Sequence, residues 1–402
     1  MSGRASPWPL AISARTVVTA LGAGVEPLRA ALRDRASGLA PARFPGAPDG
    51  IWTGEVPGLE EAAPPPELAG FDCRNNRIAE LALRADGFAE AVREVAARHG
   101  AHRIAVVVGT STAGIEETEQ AYRRRPEGQA ELPADFDYGR THDLQALPRY
   151  LQSRLGLTGP ALVISTACTS GARAIMEAAT LIAAGVADAV VAGGVDSLCR
   201  LTLQGFNALE LLSRGPTRPC AGDRDGISIG EAAGLLLLER PADAPPGATL
   251  LLGAGASSDG HHMSSPHPEG LGAVSAMRAA LDCAGIAPEE IGYVNLHGTG
   301  TRANDAMEDR AVHHLFGQAV PCSSTKGWTG HTLGASGAIE AVIGALCVEE
   351  GLVPGCLRVD SPDPEFRSDI VTENRAAPLR RVLSNSFGFG GSNCSLVIGR
   401  PA

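Results

Sequence analysis

Cys168 stands at a junction that suits a sulfur nucleophile. It lies in residues 164–172 (ISTACTSGA), between a short β-type run and an apolar helical stretch. A side chain at the start of a helix meets unpaired backbone N–H groups and the positive end of the helix dipole. Both favour the thiolate, which is the reactive form of cysteine. The residue types equally allow a small core residue, as many cysteines are, so at this point both interpretations stand.

His297 follows an apolar run and lies in the motif of residues 295–301 (NLHGTGT). The small residues after it allow a ligand to approach the backbone. The hydroxyl groups of Thr299 and Thr301 could bond to amide groups of an extended substrate. Because a single histidine at the end of a strand is usually structural, the two threonines are the part of this pattern that indicates binding.

His331 lies five residues after Lys326 in residues 323–334 (SSTKGWTGHTLG). A cation beside an imidazole lowers the imidazole pKa, so we expect His331 to be neutral near neutral pH. Lys326 could instead be a solvated surface charge, but the small and apolar residues around it favour a buried position.

A glycine-rich segment lies near the end of the chain, in residues 385–393 (NSFGFGGSN). Glycines let the backbone bend close to a reacting centre, so a backbone N–H group here could stabilise an oxyanion. Phe389 could gate an apolar tunnel. A glycine-rich turn between strands is the simpler alternative.

Short β-type runs alternate with alanine-rich helical stretches, which predicts an α/β protein. The clearest runs are residues 103–108, 161–165, 187–192, 291–296 and 395–398.

A repeat links the two parts of the chain. Ser170 begins an apolar stretch that ends at Gly185, and Ser336 begins another that ends at Gly351, so the Ser-to-Gly spacing is 15 positions in both cases. Each stretch is apolar on nearly every face, so each should form a buried helix. The repeat therefore indicates a duplicated fold with one central helix from each half.

Composition narrows the class of protein and its surroundings. The chain has 402 residues and a formal net charge of -11, which argues against a nucleic-acid partner. Its nine cysteines include no CxxC pair, a pattern typical of a reducing compartment. The sequence shows no signal peptide and no apolar run of the roughly 18 to 20 residues that a membrane span needs. We therefore expect a cytoplasmic protein.

Adjacent histidines at positions 261–262 and 313–314 superficially resemble metal ligands. Neighbouring residues rarely point at one ion, and no set of carboxylates or cysteines accompanies them. We therefore expect no metal site. The glycine-containing segments also lack the GxGxxG pattern of a nucleotide loop.

Four motifs, STACTSGA, NLHGTGT, TKGWTGHTLGASGAIEA and NSFGFGGSN, occur in this order. They resemble the signature regions of the β-ketoacyl-[acyl-carrier-protein] synthases, and the similarity extends from about Leu10 to Ile398. This resemblance implies a thiolase-like α/β fold with duplicated halves in a five-layered αβαβα sandwich. The halves would span residues 1–245, with the nucleophile, and residues 246–402, with both histidines.

The resemblance also implies the chemistry of the site. Cys168 would take an acyl group from a carrier-protein thioester. His297 and His331 would hold the thioester oxygen of a malonyl extender while it loses carbon dioxide. The backbone N–H groups of Cys168 and Phe389 would form the oxyanion hole, and Phe389 would also contact substrate.

Supporting roles follow from the same resemblance. Lys326 and Glu308 would form an ion pair that positions the histidines. Thr299 and Thr301 would contact the phosphopantetheine arm, which the acyl carrier protein supplies, so no separate cofactor or metal is expected. The synthase would work as a homodimer or as a heterodimer with a related synthase or chain-length factor.

Residues 197–213 and 225–229 are similar to specialised synthases, such as those of aryl-polyene clusters, so the elongated chain could be a fatty acid, an aryl polyene or a polyketide. The main alternative is a non-catalytic chain-length-factor-like partner, but such proteins lack the active cysteine. A thiolase would need a second catalytic cysteine, a Cys-His-Asn condensing enzyme would have Asn in place of His331, and a Cys-His hydrolase would leave the paired histidines unexplained.

Overall fold

A computed structural model describes residues 7–400, so the outermost residues of both predicted halves lie outside the described part. The strands before residue 240 are β1 (Leu10–Thr19), β2 (Gly22–Ala23), β3 (Ala40–Pro41), β4 (Trp52–Gly54), β5 (Ile104–Gly109), β6 (Ala161–Ile164), β7 (Ala189–Asp196), β8 (Ile229–Gly230) and β9 (Ala232–Glu239). The later strands are β10 (Leu250–Ser258), β11 (Tyr293–Asn295), β12 (Pro321–Ser323), β13 (Leu352–Val353), β14 (Asp369–Ile370), β15 (Arg375–Ala376), β16 (Arg381–Gly388) and β17 (Ser392–Gly399).

Eleven α-helices among residues 7–400 pack around these strands. They are α1 (Val25–Asp34), α2 (Arg74–Arg84), α3 (Phe88–His99), α4 (Ile115–Arg124), α5 (Ala146–Leu155), α6 (Ser170–Ala183), α7 (Arg200–Ala208), α8 (Leu271–Ala284), α9 (Arg302–Phe316), α10 (Lys326–Thr329) and α11 (Ser336–Glu350).

Two half-sheets have the same construction. In the first, β1, β9, β7, β5 and β6 lie side by side, antiparallel at β1–β9 and β9–β7 and parallel from β7 to β6. In the second, β10, β17, β16, β11 and β12 repeat this order and these directions, and β14 follows β12. A short antiparallel pairing of β1 with β10 joins the halves. The repeated order confirms the predicted duplication, while the boundary between residues 245 and 246 stays a prediction.

The two half-sheets and their helices form five layers. Helices α6 and α11 pack together in the centre and contact the inner faces of both half-sheets. Helices α2, α3 and α5 cover the outer face of the first half-sheet, and α8 and α9 cover that of the second. The strands support this layering because Leu236 and Leu238 of β9 face the centre, whereas Leu235 and Leu237 face outward. The predicted αβαβα sandwich is confirmed.

The turns before the two central helices also repeat. Ala167 and Leu333 both have a φ of 53°, a left-handed conformation that is uncommon for residues other than glycine. The residues that follow them, Cys168 and Gly334, occupy matching positions two residues before α6 and α11. Each half therefore places a constrained turn at the same end of its central helix.

Among residues 7–400, no helix is both long enough and apolar enough to cross a membrane.

Candidate active site

A cavity of about 440 Å³ leads from the surface to Cys168, whose side chain is buried. Every residue that the sequence predicted to touch substrate lines this cavity, namely Cys168, His297, Thr299, Thr301, His331 and Phe389. Lys326 and Glu308 are buried and do not appear in its lining. The fold thus brings segments from four distant parts of the sequence to one place.

His331 contacts the nucleophile directly, with its Nε2 atom 3.1 Å from the Sγ atom of Cys168. The backbone N–H group of Leu333 donates to Nδ1 of His331 at 3.2 Å. Since an amide N–H can only donate, Nδ1 must be the unprotonated nitrogen and Nε2 must carry the hydrogen. His331 therefore presents an N–H donor to the sulfur and to the cavity.

His297 lies against His331, with the two ring centroids 5.2 Å apart and the rings nearly perpendicular. The Nζ atom of Lys326 is 3.4 Å from Nδ1 of His297. An ammonium group has only donors, so this contact makes Nδ1 of His297 an acceptor and leaves the hydrogen on Nε2. Both histidines are thereby fixed as the same tautomer.

The predicted ion pair between Lys326 and Glu308 is wrong. Lys326 pairs with Glu340, a buried residue of α11, at 2.6 Å, and it also donates to the carbonyl oxygen of His297 at 2.5 Å. Glu308 makes no ion pair with Lys326 and instead accepts hydrogen bonds from the backbone N–H groups of His297 and Gly298, each at 2.8 Å. Sequence order alone could not distinguish the two carboxylates.

Two acids of α9 hold the loop that carries His297. Glu308 accepts the N–H groups of His297 and Gly298, and the amide of Asn385 donates to it at 3.1 Å. Asp305 accepts the backbone N–H groups of Thr299, at 2.9 Å, and of Gly300, at 3.2 Å. Glu308 is therefore a positioning residue for the histidine loop.

Burial, together with the positive charge of Lys326, lowers the pKa of both His297 and His331 well below the usual value. Burial is the larger cause for each ring, because a charged imidazole loses its hydration there. The predicted neutral state of His331 is confirmed. Two neutral rings with inward N–H donors suit the stabilisation of a developing oxyanion or enolate.

The backbone N–H groups at the helix end favour the thiolate of Cys168, as the sequence indicated, but burial outweighs them. Burial raises the pKa of the Cys168 thiol to about 11, and Lys326 and the backbone N–H groups of Phe389 and Cys168 only partly oppose that rise. Loss of hydration penalises the thiolate more than these nearby groups favour it. The free protein therefore holds Cys168 as a thiol at neutral pH.

The glycine-rich loop approaches the nucleophile closely. A Cβ atom on Gly388 would lie 3.2 Å from the backbone nitrogen of Cys168, so a side chain there would crowd the turn. The backbone N–H groups of Phe389 and Cys168 both lower the pKa of the Cys168 thiol, and their predicted role as an oxyanion hole stays a prediction. The Phe389 ring lies 5.5 Å from the ring of Phe206, centroid to centroid, on the wall of the cavity.

Thr299 and Thr301 line the same wall as His297, and their hydroxyl oxygens are 3.0 Å apart. Thr301 also caps α9 by accepting the N–H group of Asn304. Two hydroxyl groups on an otherwise largely apolar wall can bond to amides of an extended substrate.

The sequence interpretation missed two buried acids. Glu340 was detectable, since it is a charged residue in an otherwise apolar helical stretch. Asp196, at the end of β7, accepts the N–H group of Ser111 at 2.8 Å and that of Gly334 at 2.6 Å. These bonds join the two halves beside the nucleophile, and a pairing of this kind is not visible in sequence order.

One donor atom each from Cys168, His297 and His331 lies within 4.8 Å of the others, a spacing that a transition metal could also use. The ammonium group of Lys326 is 3.4 Å from His297, however, and would repel a divalent cation. Both rings also direct N–H donors, rather than free lone pairs, into the cavity. The arrangement suits an organic substrate better than an ion, and the expected absence of a metal stays a prediction.

The sequence of this chain matches proteins of known family over most of its length. The family model for the beta-ketoacyl synthase N-terminal domain matches residues 76–244, and that for the C-terminal domain matches residues 248–360. The chain belongs to the β-ketoacyl synthase family. This synthase is 39% identical over 312 residues to 3-oxoacyl-[acyl-carrier-protein] synthase 2 of Rhizobium meliloti, a match that covers 73% of each chain.

Two solved structures are similar to the synthase over nearly its full length. A ketosynthase in complex with its chain length factor, from Xenorhabdus doucetiae, is 40% identical, with a TM-score of 0.89 and all of both chains covered. A type II polyketide ketosynthase in complex with its acyl carrier protein is 25% identical, with a TM-score of 0.85 and coverage of 98% of this chain and 99% of that one. These matches support a condensing enzyme, and they do not support the alternative of a non-catalytic chain-length factor any better.

Proposed function

We propose that this synthase condenses an acyl group held on Cys168 with a malonyl thioester of an acyl carrier protein, giving a 3-oxoacyl thioester and carbon dioxide. The observation that carries the proposal is the 3.1 Å contact between Cys168 and His331, with His297 beside it in the same cavity. No separate cofactor takes part, because the carrier protein supplies the phosphopantetheine arm.

The first step moves the acyl group to the enzyme. The sulfur of Cys168 attacks the acyl thioester, the bond from the acyl carbon to the carrier's sulfur breaks, and the thiol proton leaves with the carrier's sulfur. The tetrahedral oxyanion accepts hydrogen bonds from the backbone N–H groups of Cys168 and Phe389. Because the thiol is protonated in the free protein, its proton must be lost as the attack proceeds.

The second step uses the two histidines. The malonyl carboxylate leaves as carbon dioxide, and its bonding electrons form an enolate whose oxygen accepts the Nε2–H groups of His297 and His331. Neutral donors suit this task because they need not lose a proton to the enolate. The enolate carbon then attacks the acyl carbonyl, the bond to Cys168 breaks, and the thiolate takes a proton from water.

The outer edge of the first half-sheet, at β6, is a candidate interface with a partner subunit. β6 has a strand neighbour on one side only within residues 7–400, and its Leu162 is 39% exposed. An unpaired edge with an apolar side chain is a site for pairing with another chain. Since the Xenorhabdus doucetiae relative is in complex with its chain length factor, we infer a subunit of that kind at β6. The acyl carrier protein is the second partner, and a cytoplasmic location fits both.

The test combines two variants with two measurements. Cys168→Ala should abolish both the acyl adduct, detected by mass spectrometry of the intact protein, and condensation. His331→Ala should keep the adduct but slow condensation about 100-fold or more, as the loss of an oxyanion donor does. Carbon dioxide release from malonyl carrier protein is followed in parallel, and Cys283→Ala, a partly exposed cysteine of α8, is the control.

Continued chain elongation by Cys168→Ala would refute the nucleophile assignment. Undiminished turnover by His331→Ala would remove this histidine from the mechanism. A wild-type protein that neither becomes acylated nor releases carbon dioxide would favour the non-catalytic alternative.

A further inference from the structure

Arg302 lies at the outer end of the active-site cavity, directly after Thr301, and its side chain is exposed. We propose that Arg302 binds the phosphate group of the phosphopantetheine arm. This inference rests on the proposed function, since it assigns a binding residue for the substrate of the same site.

Exposure increases along this wall from His297 and Thr299, which are buried, through the half-buried Thr301 to the exposed Arg302, and the groups they present match the order of groups along the arm. His297 stands beside the sulfur, where the thioester reacts, and Thr299 and Thr301 follow with hydroxyl groups. The arm likewise runs from a thioester through two amides to a phosphate. Arg302 is the next residue on this wall, at the solvent end, where the phosphate would emerge.

Arg302 provides the one permanent positive charge among the described residues that line the cavity. The acidic lining residues are Glu210, which is exposed, and two that already have partners. Asp225 accepts the hydroxyl of Ser213 at 2.6 Å, and Asp259 accepts the amide of Asn393 at 2.7 Å. The negative charge of a phosphodiester therefore has a single cationic counterpart on this wall.

The side chain of Arg302 is available for a ligand. Its backbone oxygen accepts a hydrogen bond from Arg224 at 3.3 Å, which fixes the start of α9. Arg224 also pairs with Asp363 at 2.6 Å, so that nearby carboxylate already has a close partner. Within residues 7–400, the guanidinium group of Arg302 has no carboxylate at ion-pair distance. Its fork of N–H donors matches two phosphate oxygens.

The experiment compares two small extender substrates that differ only in the phosphate, malonyl-pantetheine and malonyl-phosphopantetheine. Carbon dioxide release gives kcat/KM for each with the wild type and with Arg302→Ala. We expect the preference of the wild type for the phosphorylated substrate to fall about tenfold in Arg302→Ala, mainly through KM. Arg302→Lys, which keeps the charge but not the fork, should restore part of it. Arg278→Ala, an exposed arginine of α8 outside the cavity lining, is the control and should keep the preference.

Equal losses on both substrates would overturn the inference, because Arg302 would then act on the site as a whole. Full activity of Arg302→Ala on both substrates would also overturn it. If the wild type condenses neither substrate nor malonyl carrier protein, the proposed function fails, which is distinguishable because no preference can then be measured.

Discussion

Lys326 has a buried acceptor for each of its three N–H bonds. They are a carboxylate oxygen of Glu340, the carbonyl oxygen of His297 and Nδ1 of the same histidine. Burial of a charged lysine is costly unless it is paired and hydrogen-bonded, and here two of the three bonds also hold His297. The ammonium group thus sets the tautomer of His297 and, together with burial, keeps both rings neutral.

The thiol of Cys168 gives a direct test of the electrostatics at this scale. Burial raises its pKa to about 11, so the thiolate fraction should rise about tenfold per pH unit from neutral pH upward. The rate of alkylation by iodoacetamide, read on the Cys168 peptide by mass spectrometry, should therefore increase with pH and show no plateau below about pH 10. The peptide that carries Cys283 reports on general reactivity.

A plateau of the alkylation rate near pH 7 would contradict this expectation. It would mean that Lys326 and the backbone N–H groups at the helix end outweigh burial.

Sequence reasoning identified the reacting residues but not all of their supports. Their neighbours made Cys168, His297 and His331 candidates, and the resemblance to the β-ketoacyl synthases supplied the roles predicted for them. The resemblance gave Glu308 as the partner of Lys326, whereas the structure pairs Lys326 with Glu340. Only the packing of α11 against the histidine loop determines which carboxylate reaches the ammonium group.

Small residues set the distance between the central helices α6 and α11. A Cβ atom on Gly337 would lie 2.7 Å from the Cβ atom of Ala172, and one on Gly171 would lie 2.8 Å from the carbonyl oxygen of Gly334. Because Cys168 and His331 lie just before these helices, their separation depends on this close packing.

Gly337→Ala should therefore lower the free energy of unfolding by about 1 to 3 kcal/mol, as overpacking of a core does. Gly205→Ala in α7 is the matched control, since a Cβ atom there meets nothing within 4 Å. It should be neutral or should stabilise by up to about 1 kcal/mol, because alanine favours a helix more than glycine. Thermal unfolding measures both variants, and equal stabilities would argue against tight helix packing.

The elements themselves were largely predictable, but their ends were less so. Residues 187–192 were predicted as a strand, whereas β7 spans Ala189–Asp196. Its extension includes Gly193 and Gly194, which carry no β-type signal. Gly193 is needed because a Cβ atom there would lie 2.0 Å from the carbonyl oxygen of Gly234 on the next strand. That requirement comes from sheet packing, which the local sequence does not show.

At the scale of the whole molecule, the exposed edge strand β6 predicts how the synthase assembles. Leu162→Asp should break association with a chain-length-factor subunit, because the new charge would be buried at the proposed interface. Light scattering after size-exclusion chromatography of the co-expressed pair measures the mass of the assembly. Leu271→Asp, at a 59% exposed leucine on α8, is the control and should leave the pair intact.

Retention of the pair by Leu162→Asp would place the interface elsewhere. Association of wild-type chains with one another, in preference to the chain-length-factor subunit, would instead indicate a homodimer.

The matching turns of the two halves have a consequence for how many intermediates one chain can hold. Gly334 occupies in the second half the position that Cys168 occupies in the first, after a residue with the same φ of 53°. A Cβ atom on Gly334 would lie 2.7 Å from a carboxylate oxygen of Asp196, so a second sulfur has no room there. If Cys168 holds the acyl group as proposed, only one half of this internally similar scaffold has room for the covalent step, and each polypeptide would carry a single growing chain at a time.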